Sequence, residues 1–90
     1  MLTARRFTVH GRVQGVGFRF FARERAALEG LSGWVKNASD GSVEAEVEGE
    51  REPVDRFERA LRHGPAGARV DSVEVIDVTP EQRRGFEVRR

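Results

Sequence analysis

The sequence predicts an α+β sandwich, an antiparallel sheet carrying two helices on one face, in the order β-α-β-β-α-β. Two stretches alternate apolar with polar residues, two others repeat apolar residues at helical spacing, and glycine- or proline-containing breaks separate them. Ninety residues suffice for one small domain with a single modest core, so residues 1–90 are read as one domain.

From Arg6 to Val13, the apolar Phe7, Val9 and Val13 alternate with Arg6, Thr8, His10 and Arg12, the pattern of a half-buried strand with one wet face. Phe18, Phe21, Ala22 and Ala26 then recur at helical spacing with Leu28 on the flank, and Gly30 is placed to cap the end. The spacing predicts a first helix over Phe18–Glu29. Gly33 to Asn37 reads as a second strand, and Asp40-Gly41 as the turn of a hairpin. In the third strand Val43, Ala45 and Val47 face in, while Ser42, Glu44, Glu46 and Glu48 face out as a solvated row. A second helix opens near Pro53, a favourable first-turn residue. It shows Val54, Phe57, Ala60 and Leu61 on one face and stops at Gly64-Pro65. Val70, Val73, Val75 and Ile76 belong to a fourth strand ending near Val78; Phe86 and Val88 make a short fifth after a Pro80–Gly85 turn region.

Each helix has one apolar stripe to bury and each strand one apolar face. The economical arrangement puts both helices on one side of the sheet, a ferredoxin-like sandwich with two right-handed split β-α-β crossovers. Element order alone leaves the sheet position of the fifth strand open.

The run Gly11-Arg12-Val13-Gln14-Gly15-Val16-Gly17-Phe18-Arg19 organises the chain. Glycines at 11, 15 and 17 let the backbone take positive φ and curl its N–H groups inward. The curl leads into a helix start, where unpaired amides and the helix dipole favour an anion. Arg19, in the first turn, opposes that dipole. In a purely structural role it would cost about 0.3–1 kcal/mol, so it argues for an anion beside it. The run is neither a Walker nucleotide loop, lacking Lys and Ser/Thr after Gly17, nor a dinucleotide fingerprint. It reads as a cradle for a phosphate-like dianion.

Asn37 ends the second strand on the helix-bearing face, within reach of the loop. It is either a turn former or a neutral amide that orients a water through one donor and one acceptor. His10 on the wet face and His63 beside a helix end read as surface or capping residues, and Trp34 as a half-buried aromatic. No second His or Cys stands at metal-ligand spacing. With no Cys at all, disulfides, thiolate chemistry and Cys-type zinc sites are excluded.

Charged residues make up 34% of the chain but cancel to a net +1, so the overall field favours neither nucleic acid nor membrane as a partner. Met1 to Arg6 lacks the apolar run of a signal peptide, and a cytoplasmic location is expected. All the basic residues except Lys36 are Arg, which fits a GC-rich genome or thermal adaptation equally. The pairs Glu52/Arg56, Asp55/Arg59 and Glu58/Arg62 stand at ion-pairing helical spacing.

Val9-x-Gly11-x-Val13-Gln14-Gly15-Val16-Gly17-Phe18-Arg19, followed by Gly33-Trp34-Val35-x-Asn37-x-x-Asp40-Gly41-x-Val43, closely resembles the acylphosphatases. Both signature blocks are present in order and at the family's spacing, and the resemblance runs over nearly the whole chain. It implies hydrolysis of a carboxyl–phosphate anhydride to carboxylate and inorganic phosphate. It implies further that residues Gln14, Gly15, Val16, Gly17, Phe18 and Arg19 hold the phosphate, that the Arg19 guanidinium binds it, and that Asn37 positions the attacking water. No metal or cofactor is expected. The expected partners are a small-molecule acyl phosphate and, as a product-like ligand, inorganic phosphate or sulfate; the chain is expected to be a monomer.

Two rival readings stand beside this one. A non-catalytic phosphoanion-binding module of the same fold would hold the ligand without turning it over; the lack of linker-like tails favours a free-standing enzyme. RNA recognition would use Gly17-Phe18-Arg19-Phe20-Phe21 as an aromatic motif. Such aromatics belong on central strands, whereas these fall in a loop and helix.

Overall fold

The computed structural model describes residues 1–90. In chain order the elements are β1 (Leu2–Arg12), α1 (Phe18–Glu29), β2 (Ser32–Asn37), β3 (Val43–Glu50), α2 (Arg51–His63), β4 (Arg69–Val78) and β5 (Phe86–Val88). The sheet order is β4-β1-β3-β2-β5, with β1 and β3 at its centre. The first four strands pair antiparallel, as expected. β5 joins the edge beside β2 and runs parallel to it, which makes the sheet mixed and settles the position that element order left open.

The alternation in β1 and β3 is what puts a core on one face. Phe7 lies opposite Ala45 on one side and Val75 on the other, and Val9 opposite Val43 and Val73. These side chains meet Phe18, Ala22 and Ala26 of α1 and Val54, Phe57 and Leu61 of α2 in one cluster. The rings of Phe7 and Phe57 sit 5.8 Å apart at its middle. Each such buried side chain stabilises the fold by about 1.5–3 kcal/mol, so the two helix stripes are what clamp the helices to the sheet. α1 spans the residues its periodicity predicts and ends at Gly30, whose left-handed backbone lets Gly30 N–H and Leu31 N–H bond back to Ala27 and Ala26 carbonyls.

The opposite face differs from its sequence reading. Glu46 and Glu48 are 5% and 6% exposed rather than solvated. The 79–85 connection between β4 and β5 closes over them. The N–H groups of Glu81 and Gln82 donate to the Glu48 carboxylate at 3.1 and 2.8 Å, and Arg6 and Arg83 pair with Glu46 at 2.9 and 3.5 Å. Burying a carboxylate is tolerable only with partners of this kind. Trp34, on the same face, is buried among three cations, with Arg89, Arg6 and Lys36 at 4.8, 5.6 and 5.6 Å from its ring centroid. Of the three helical ion pairs, only Glu58–Arg62 forms within α2. Asp55 is taken by Arg5, and Arg56 reaches Glu29 of α1. Tertiary partners thus displace the local ones.

Gly33 in β2 has φ of 149°, and a Cβ there would run into the carbonyl of Glu46 on β3. Gly33→Ala is expected to destabilise the protein by about 3 kcal/mol, lowering Tm by about 15 °C in a thermal melt.

Candidate active site

The loop between β1 and α1 folds as its glycines demand. Gly15 and Gly17 both take left-handed backbone, with φ of 76° and 75°. Alternating such residues with ordinary ones turns successive N–H groups toward one side of the chain, which makes an anion-binding concavity. Gly17 is also the N-cap of α1 and supplies no side-chain cap, and no acidic residue occupies the first turn. The first loop or helix amide with a partner is Phe21, which donates to the Gly17 carbonyl at 3.0 Å. The amides of residues 14–20 donate to no other protein group. Seven N–H donors in a row are therefore without a protein partner, beside the positive end of a helix.

Most of this run borders a cavity of about 140 Å³, lined by Val13, Gly15, Gly17, Phe18, Arg19, Phe20 and Asn37. Arg19 and Asn37, far apart in sequence, meet here because α1 packs beside β2. The half-buried Arg19 side chain turns toward the end of the chain, where its Nη1 donates to the carbonyl of Arg89 at 3.0 Å. One of five guanidinium donors is thereby used, and the rest are free to grip an anion. No carboxylate lines the cavity, so nothing nearby neutralises that charge.

Asn37 is the last residue of β2, paired with Val43 across the hairpin, and its carboxamide bonds to no other protein group. The hairpin that carries it is fixed from two sides. The Ser42 hydroxyl and N–H donate to Asp40 at 2.6 and 2.9 Å, and they hold that carboxyl below its ordinary pKa. From the loop, the Gln14 side-chain amide donates to the carbonyls of Ala38 and Ser42 at 2.7 and 2.9 Å. Gln14 therefore has only its backbone N–H to offer an anion, and its side chain ties the loop to the segment bearing Asn37. Val16 packs against the core and is not among the residues lining the cavity. Gln14→Ala is expected to cost about 1–2 kcal/mol of stability and to lower kcat several-fold at nearly constant KM. Denaturant melts and steady-state kinetics on the same preparation check both.

Two participants escaped the sequence reading. The Arg89 carbonyl comes from a strand edge 70 residues away, and no side-chain pattern announces a backbone acceptor. Phe20 was legible in principle: Phe18 and Phe21 share the inward stripe of α1, and Phe20 falls off it. His10 bonds Glu74 at 2.7 Å on the far face of the sheet and plays no part in the cavity. No group of three or more His, Cys, Asp or Glu side chains is disposed to hold a metal ion. No helix is long and apolar enough to cross a membrane.

Comparison with known proteins adds four findings. A family model described as Acylphosphatase matches residues 5–88. An acylphosphatase of Anaeromyxobacter dehalogenans is 52% identical over 85 residues, which cover 93% of this chain and 91% of that protein. Among solved structures, an acylphosphatase from Bacillus subtilis superposes with a TM-score of 0.95 at 37% identity, covering all of both chains. One from Coxiella burnetii superposes with a TM-score of 0.94 at 40% identity, covering 98% of this chain and 93% of that one.

Proposed function

The chain belongs to the acylphosphatase family and hydrolyses acyl phosphates to carboxylate and inorganic phosphate; we propose that the loop of residues 14–19, Arg19 and Asn37 carry out that reaction. The observation that carries this assignment is the run of unpartnered amides from 14 to 20, five of whose residues (Gly15, Gly17, Phe18, Arg19 and Phe20) line one small cavity with Asn37.

An acyl phosphate has a stable carboxylate as its leaving group. Its hydrolysis therefore calls for positioning and charge stabilisation more than for a covalent intermediate or a strong base. The loop amides and the forked Arg19 hold the phosphoryl oxygens, each hydrogen bond contributing about 1.5–3 kcal/mol. Because these donors are fixed before the substrate arrives, they follow the charge into the transition state without rearranging. Asn37 accepts a hydrogen bond from the water and turns its lone pair to the phosphorus, opposite the acyl oxygen. The P–O bond to the acyl group breaks as the water's oxygen bonds to phosphorus, and the electron pair leaves on the carboxylate. The water's proton passes to an oxygen of the substrate's own phosphate, the nearest base in a cavity without His or carboxylate.

No step in this scheme is routed through a metal or cofactor. The ligand is a small mixed anhydride of a carboxylic acid and phosphoric acid rather than a nucleic acid or membrane, in keeping with the net charge of +1. A monomer in the cytoplasm belongs to the same reading; the exposed large apolar side chains are only Met1, Leu2, Phe20, Leu28 and Ile76. Incubation of the pure chain with acetyl phosphate in EDTA tests it. The expected result is saturable release of inorganic phosphate. Binding of phosphate without turnover would instead make the domain a phosphoanion-binding module.

A further inference from the structure

We propose that Phe20 is the platform on which the acyl end of the substrate rests, and that its ring sets how strongly the enzyme discriminates a flat apolar acyl group from acetyl. The inference rests on the proposed seating of the phosphate in the loop cavity. That cavity, about 140 Å³, is bounded by the loop. It opens into a groove of about 590 Å³ lined by Arg19, Phe20, Asn37, Val88 and Arg90. Arg19, Phe20 and Asn37 line both spaces. Acyl carbon and phosphorus are joined through a single oxygen, so a substrate gripped by its phosphate carries its acyl group to the mouth of this groove.

Phe20 is the side chain there with the most apolar surface to offer. Phe18 is fully buried and Phe21 packs edge-on against it at 5.8 Å, but Phe20, between them, is 57% exposed. It adds nothing to the core. The guanidinium of Arg23, one turn along α1, lies 5.1 Å from the ring centroid and steadies the ring from one side. Val88 of β5 supplies a second apolar wall. A ring fixed in this way offers a stacking surface at little entropic cost, and it favours planar groups over a methyl. No acidic side chain lines the groove to repel an anionic substrate.

The test is kcat/KM for benzoyl phosphate relative to acetyl phosphate in the wild type, Phe20→Ala and Phe20→Tyr. In Phe20→Ala the ratio is expected to fall about fivefold or more, through a higher KM for benzoyl phosphate. Phe20→Tyr, which keeps a flat ring, is expected to hold the wild-type ratio to within about twofold. An unchanged ratio in Phe20→Ala, or an equal fall in Phe20→Tyr, overturns the platform while leaving the phosphate site standing. A wild type that hydrolyses neither substrate overturns the catalytic assignment and the platform with it.

Discussion

Arg19→Ala is expected to lower kcat/KM for acetyl phosphate about 10³-fold with the fold intact. Magnitudes of this size follow when a preorganised donor to a developing oxyanion is removed, and an arginine on a transferring phosphoryl group lies at the upper end. Here the guanidinium carries the only full positive charge lining the small cavity. Its orientation is set in advance by the Arg89 carbonyl at 3.0 Å. Arg19→Lys is the sharper variant. It retains the charge, but an ammonium cannot present two parallel donors to a phosphate while a third holds Arg89. Its expected loss is about 10²-fold. Both variants should give circular dichroism spectra like the wild type, because the side chain is not part of the core cluster. Full activity in Arg19→Lys would reduce the residue to a point charge and remove the forked grip from the mechanism.

Asn37→Ala is expected to lower kcat about 10²-fold while KM moves less than about twofold. The separation follows from the proposed division of labour in the cavity, in which amides and Arg19 hold the phosphate, whereas Asn37 orients the nucleophile and acts mainly on the step of bond formation. The free carboxamide at the end of β2, paired to no other protein group, is what makes it available for that role. Asn37→Asp keeps the shape but places a carboxylate against an anionic substrate, so its KM should rise as well as its kcat fall. A rise in KM alone in Asn37→Ala would recast the residue as a phosphate ligand.

Much of this site can be read from the chain because its elements are local. The alternation around Phe7 and Val9, the helical stripe from Phe18 to Ala26, and the left-handed glycines at 15 and 17 each depend on neighbours a few residues away. What escaped depends on contacts distant in sequence. Glu46 and Glu48 carry the pattern of a wet strand face, and only the crossing of residues 79–85 buries them. Asp55 stands at the right spacing for Arg59, yet Arg5 on the neighbouring strand wins it at 2.6 Å and depresses its pKa through that hydrogen bond. Motif spacing also says which residues gather but not which of their atoms face the ligand. Gln14 belongs to the loop, yet its side chain serves the β2–β3 hairpin.

The central claim is that backbone amides of the loop and one guanidinium grip the same phosphate. A titration of the ¹⁵N-labelled protein with inorganic phosphate in EDTA, followed by amide chemical shifts, tests it most directly. The account predicts saturable shifts at Gly15 through Phe20 that share one Kd and largely vanish in Arg19→Ala. Phosphate that inhibits turnover while those amides stay still, with the shifts falling on another part of the molecule, would contradict it.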